Sequence, residues 1–111
     1  MQFLAVKNST TVGKIKAENQ DRKQTIFPVV DSEEHYLGLL YLDDLKDAPS
    51  EKTAGDVLKS VQEAGEQRNI YVYSKDSVDN AKALMHQKGL LFLPIVDYTH
   101  HFLGTVDSSS T

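Results

Sequence analysis

A chain of 111 residues makes one domain, or two small units that share a core, because units of under about 60 residues each bury too little surface to stand alone. With 40% apolar and 25% charged residues the composition is that of a soluble globular protein, and no apolar run approaches the roughly 20 residues of a spanning helix. A net charge of -4 argues against a broad basic footprint for nucleic acid or anionic lipid, and the absence of cysteine removes disulfides, thiolate nucleophiles and cysteine-ligated zinc, which fits a reducing compartment.

Residues 1–6 lack the basic region and long apolar stretch of a secretion signal, so a cytoplasmic setting is expected. Phe3, Leu4, Ala5 and Val6 read as a short strand, followed by Asn8, Ser9, Thr10 and Thr11, which cap helix starts. A helix is expected over residues 12–22, with Val12, Ile15 and Ala17 as its apolar stripe. Residues 26–30 and 36–42 are β-rich runs joined by a polar turn, Asp31 to His35, and make a hairpin. Asp43 to Lys46 open a helical turn that Asp47, Ala48, Pro49 and Ser50 break. Thr53 caps a helix from Ala54 to about residue 64 that carries Val57, Leu58 and Val61 inward. The strand 70–73 then leads to Asp76 and Ser77, and to a helix over 78–88 with Val78, Ala81, Leu84 and Met85 on its apolar side and Gly89 past its end. A second hairpin pairs residues 90–96 with 102–106 around a turn from Asp97 to His101. Proline in the first strand of each hairpin lacks an amide hydrogen and is expected at a sheet edge or strand start.

The two hairpins are one text written twice. Phe27-Pro28-Val29-Val30-Asp31 returns as Leu93-Pro94-Ile95-Val96-Asp97, and at the same offset of 66 residues His35, Leu37 and Gly38 fall on His101, Leu103 and Gly104. The register also carries Val6 onto Val72, Thr11 onto Ser77, Val12 onto Val78, Lys16 onto Lys82 and Ala17 onto Ala83. The chain is therefore a tandem repeat, with residues 1–46 as the first unit, 47–69 as a linker with a short helix, and 70–111 as the second unit.

A strand-helix-strand-strand-helix unit with Pro-Val-Val-Asp, a polar turn, Leu-Gly, and an aspartate six residues beyond that glycine resembles the cystathionine β-synthase (CBS) domain. Two in tandem resemble the paired Bateman module, and the likeness covers nearly the whole chain. It implies an α+β fold of two β-α-β-β-α units packed sheet to sheet about a pseudo-two-fold axis, with frequent association into homodimers and no catalysis. It also implies a sensor attached to a channel, transporter or enzyme. Phe27 to Asp31 with Leu42 to Leu45 is similar to the cytoplasmic modules of ClC-type chloride channels. Residues 107–111 lack the spacing of a closing helix, so the second unit reads as truncated and the chain as a fragment of something longer.

Many members of the family bind AMP, ADP, ATP or an adenosyl compound. The resemblance implies that a hydroxyl residue three positions after the glycine and an acid three further on hold the ribose and orient the phosphates. These positions are Tyr41 and Asp44 after Gly38, with Val6, Asn8, Ile26 and Phe27 toward the base. In the second unit they are Asp107 and Ser110 after Gly104, with Val72, Ser74 and Phe92. Both units depart from the pattern. Tyr41 is bulky where a small hydroxyl is expected, and Asp107 puts a carboxylate near the phosphates, where at about 6 Å two like charges repel by several tenths of a kcal/mol even in water. A ligand-free structural dimerisation module is the rival reading, in which these departures record lost binding.

Other candidate groups have simpler readings. Asp31 and Asp97 suit acid–base work, but their place in hairpin turns favours an Asx bond to the local backbone. His35, His100 and His101 lie in solvated turns without helical metal-ligand spacing, and zinc would be the first metal to try there. Glu33, Glu34, Asp43 and Asp44 read as a solvated acidic face rather than a cation site. Phe27, Tyr36, Phe92 and Phe102 are expected in the core, while Tyr71, Tyr73 and Tyr98 suit a cleft or partner surface. No nucleophile, base and acid come together in any recognisable pattern, so no enzyme activity is expected.

Overall fold

The computed structural model describes residues 4–107, which form an α+β fold of two three-stranded sheets and four helices. Contacts divide the chain into two units, one ending at Asn69 and one beginning at Ile70. In the first unit β1 (Val6–Lys7) runs parallel to β2 (Ile26–Val30), which pairs antiparallel with β3 (Tyr36–Tyr41). The helix α1 (Val12–Arg22) connects β1 to β2, α2 (Leu42–Lys46) follows β3 directly, and α3 (Ala54–Glu63) closes the unit. The second unit repeats the order with β4 (Val72–Tyr73), α4 (Val78–Lys88), β5 (Phe92–Val96) and β6 (Phe102–Asp107). Phe3 of the expected first strand, Ser110 and the rest of the expected truncation lie outside the described residues.

The repeat is exact at the level of register. Val6 pairs with Val29 as Val72 pairs with Ile95, and Pro28 faces Leu39 as Pro94 faces Thr105, with a bulge one step before each turn. Three of the four helix starts, those of α1, α3 and α4, carry the hydroxyl cap their sequence offers. The hydroxyls of Thr11, Thr53 and Ser77 accept the amide hydrogens of Lys14, Asp56 and Asn80, and α1 and α4 both end in a left-handed residue, Lys23 and Gly89.

The prolines overturn the expectation of an edge. Pro28 and Pro94 sit in the central strand of each sheet. The Leu39 amide donates outward to Arg68 O rather than to β2, so the Pro28–Leu39 pair exchanges no ladder bonds. The donor that Pro28 lacks therefore faces β1, whose pairing begins only at Val29.

The core of the first unit gathers Val12 and Ile15 from α1, Phe27 and Val29 from β2, Leu40, Leu45, and Ala54, Val57 and Leu58 from α3, all fully or nearly buried. Each such aliphatic or aromatic side chain contributes about 1.5–3 kcal/mol by leaving water. Residues 47–69, read as a linker, thus carry a helix whose apolar side enters this core. Two backbone segments are laced together beside it: Val12 N and Gly13 N donate to Lys52 O and Ser50 O, and Ala54 N and Gly55 N donate to Thr10 O and Asn8 O. Ala17 and Val78, expected on the apolar stripes, are exposed instead, because α1 and α4 each bury only a narrow face, Val12 with Ile15 and Ala81 with Met85. Phe27, Tyr36 and Phe92 are buried as expected, whereas Phe102 is half-exposed.

The turns carry the expected Asx bonds. Asp31 Oδ1 accepts the amides of Glu33 and His35, and Asp97 Oδ1 accepts those of Thr99 and His101 together with the Thr99 hydroxyl. The His101 amide above all holds the Asp97 pKa down to about 2, and the His35 amide lowers that of Asp31. A carboxylate depressed in the folded state stabilises fully above its unfolded value and loses that contribution as pH falls through the folded one. Melting temperature is therefore expected to drop between about pH 4 and pH 2, and the drop should shrink in D97N and D31N.

The two glycines of the repeat test what covers each β3-type strand. Gly38 and Gly104 have nearly the same positive φ, 155° and 154°, so alanine strains both backbones alike. A Cβ at Gly38 would meet Leu58 Cδ1 at 3.2 Å and Arg68 O at 3.3 Å, whereas nothing described lies within 4 Å of one at Gly104. G38A should lower the urea-unfolding free energy by about 1–3 kcal/mol more than G104A.

Candidate functional site

Tyr41 and Asp44 come together at the end of β3, where Asp44 Oδ2 accepts the Tyr41 amide at 2.7 Å and so caps α2. Arg68, which no local sequence pattern marks, completes the arrangement. Its Nη1 donates to Asp44 Oδ2 at 2.5 Å and to Leu39 O at 3.2 Å, and its Nη2 donates to Asp44 Oδ1 at 3.1 Å and to Glu66 Oε2 at 2.7 Å. The guanidinium carbon lies 4.2 Å from the Tyr41 ring centroid, and the backbone carbonyl of Arg68 accepts the Leu39 amide and the Tyr36 hydroxyl. Side-chain exposures of 4% for Arg68 and 11% for Asp44 make this a buried fork-to-fork pair, and Asp44 raises the Arg68 pKa above its already high value.

This clasp leaves the Asp44 carboxylate unevenly occupied. Oδ2 takes two hydrogen bonds, from Tyr41 and Arg68, while Oδ1 takes one from Arg68 and retains acceptor capacity. Asp44 also lines a hollow of about 320 Å³ with Asp47, Lys52, Asp56 and Ser60. The other residues expected around a ligand are dispersed within the unit. Ile26 pairs with Tyr41 across the sheet and shares a hollow with it, Val6 and Phe27 line a cavity beside α1, and Asn8 lines another beside α3. The Asn8 backbone is spent on Val30 and Gly55, and Gly55 is needed there because a Cβ would come within 3.1 Å of Asn8 O.

In the second unit, Phe92 and Asp107 are cross-strand partners at the far end of the hairpin, Phe92 fully buried and Asp107 half-exposed. Val72 is buried against Ile95, and the exposed Ser74 donates its amide to Val96 O. Tyr71 meets Tyr73 and His100 edge to face, at 5.4 and 4.6 Å between ring centroids, while Tyr98 is 90% exposed. Among the described residues no group of three or more histidines and carboxylates is placed to hold a metal, and His35 and His101 instead turn Nδ1 toward Asp31 and Asp97. No helix among the described residues is long and apolar enough to cross a membrane.

Comparison with known proteins places the fold. No protein-family model and no curated protein matches the sequence, but solved structures of CBS domain pairs share its fold over nearly its full length. Among them are the CBS domain pair/ACT domain protein of Thermotoga maritima, with a TM-score of 0.78, 22% identity and coverage of 95% of this chain and 81% of that one. CBSX2 in complex with AMP gives 0.73 and 21%, covering 95% and 81%. The cytosolic domain of the Mg2+ channel MgtE in complex with ATP gives 0.76 and 21%, covering 95% of this chain but 42% of that one. The likeness is one of fold.

Arg68 is separated from Asp44 by 24 residues, and no local pattern marks it as buried. Removing one partner of a buried pair leaves the other charged and dry, a loss of about 3–5 kcal/mol, while removing both spares that penalty. D44A should therefore destabilise in urea unfolding by about that amount, and D44L/R68M by less than D44A alone.

Proposed function

We propose that this chain is a regulatory module that binds an adenosine nucleotide or adenosyl compound and passes a change in packing to an attached effector. The observation that carries this reading is the full-length likeness to CBS pairs, among them structures in complex with AMP and with ATP. Within the first unit the Tyr41–Asp44 edge is the ligand's anchor: Asp44 Oδ1 accepts a ribose hydroxyl, and the two-pronged contact with Arg68 fixes the carboxylate's direction. The departure at Tyr41 is accommodated because its ring covers the guanidinium instead of filling the place of a small hydroxyl.

In this reading the ligand shifts a population between two arrangements by its differential affinity for them, and the module does no chemistry of its own. The effector is a transport protein or an enzyme. Mg2+ transport is represented among the structural neighbours, and the resemblance to chloride-channel modules adds no narrower choice. The module itself works on the cytoplasmic side and as a homodimer.

Thermal denaturation with AMP, ADP, ATP and an adenosyl sulfonium compound tests the proposal. A ligand at a hundred times its Kd stabilises by about 2.7 kcal/mol, a rise of several degrees for a chain of this size. D44N should abolish the rise while Y41F retains it. No rise with any of the four would favour the ligand-free structural module.

A further inference from the structure

The first unit holds a second, separate recess, and the repeat supplies its own control. A cavity of about 340 Å³ lies between β1 and α1, walled by Leu4, Val6, Ile15 and Phe27 and rimmed by Lys7, Lys14, Glu18 and Arg22. Three cations face one carboxylate in a chain whose net charge is -4, so the local sign is reversed. Lys7 is engaged with Glu34, and Lys14 reaches Glu18 only at 4.0 Å, while Arg22 has no carboxylate within ion-pairing distance among the described residues. The floor is polar where a core is expected. Gln24, 4% exposed, donates to Leu4 O and Ile26 O, accepts the Leu4 amide, and is clamped at its own backbone by the Asn19 side chain.

At the offset of 66 residues the second unit fills these places with apolar groups: Asn19 becomes Met85, Gln24 becomes Leu90 and Glu18 becomes Leu84, with Met85 and Leu90 buried. Lys7 and Lys14 become Tyr73 and Asn80, while Arg22 becomes Lys88, so the second copy keeps one of the three cations. The two copies thus line this region differently: in the second, Met85 and Leu90 make an apolar wall beside a hollow of about 390 Å³, while the first has a polar floor under a cationic rim. Burying amides where the other copy buries apolar side chains demands that each be hydrogen-bonded, and a structure carries such a feature where a site needs it.

We infer that the recess between β1 and α1 binds a small anion with an apolar body, a carboxylate or phosphate monoester, its charge between Lys14 and Arg22 and its body against Ile15 and Phe27. The volume suits a ligand of that size. Val6 and Phe27, expected toward the base of an adenosine ligand, also wall this recess, but its charged end rests on Lys14 and Arg22 and the other site's on Asp44, so K14A/R22A and D44N tell the two apart.

The test is an amide-resolved NMR titration of the full chain with phenyl phosphate, benzoate, inorganic phosphate and benzylammonium. Phenyl phosphate or benzoate should give saturable shifts centred on Lys7, Lys14, Asn19 and Arg22, and whichever binds more tightly identifies the anion. Inorganic phosphate should bind at least tenfold more weakly, and benzylammonium should not compete. K14A/R22A, at two exposed positions, should weaken the aromatic anion at least tenfold with the rest of the spectrum unchanged, whereas K16A/K75A, which removes equal charge elsewhere, should stay within twofold. Shifts centred elsewhere, equal binding of inorganic phosphate or benzylammonium, or equal losses in the two double variants would overturn the inference.

Discussion

A buried guanidinium clasping a buried carboxylate sets the edge of the first unit. Arg68 reaches back 24 residues to Asp44, and through its own carbonyl and Nη1 it binds both the amide and the carbonyl of Leu39. One residue therefore supplies the open edge of β3 with hydrogen-bond partners, shields it from other strands, and fixes the carboxylate that starts α2. Glu66 adds a half-exposed ion pair that matters little beside this, since a charge facing water gains about as much from solvent. The clasp also explains Gly38, because the Arg68 carbonyl and Leu58 occupy the space a side chain would need.

Duplication followed by unequal specialisation accounts for the rest. The two sheets share strand order, pairing register and even the bulge before each turn, so the backbone plan is held in common. The copies part company in polarity. The first unit buries Gln24 and Arg68, and both are fully partnered; the second has no buried polar side chain among its described residues and instead exposes apolar ones, Val78, Leu91, Tyr98 and Leu103 among them. Buried polar groups demand geometry that apolar packing does not, which points to the first unit as the copy under chemical constraint.

Much of this was legible in the residues. The proline-valine-aspartate text and its return after 66 positions gave the repeat; a hydroxyl cap and the trailing Gly89 gave α4, and the repeat register with the hydroxyls before Val12 gave α1. Strand ends were harder: only Val72 and Tyr73 of the expected strand 70–73 form the ladder, and the second hairpin begins at Phe92 rather than residue 90, because pairing length is set by the neighbouring strand. The prolines were misplaced because a central strand tolerates a missing donor wherever its neighbour is too short to ask for one. Tyr41 and Asp44 were singled out by the family resemblance and the structure brings them together, but Arg68 was not, since nothing local distinguishes a buried arginine from an exposed one. Gln24 was within reach: at the repeat offset it stands where the second copy has leucine, and a polar residue at a core position of a duplicated unit is a signal in its own right.

The clasp is most directly tested by native-state hydrogen exchange at the Tyr41 amide, whose partner is Asp44 Oδ2, read against amides of the central strand β2 in the wild type and in R68K. Lysine keeps the charge but not the fork, so the carboxylate loses its fixed orientation. In R68K, Tyr41 exchange is expected to rise at least tenfold relative to β2. An unchanged ratio would mean that Asp44 holds its place without Arg68, and would contradict the role assigned to the pair.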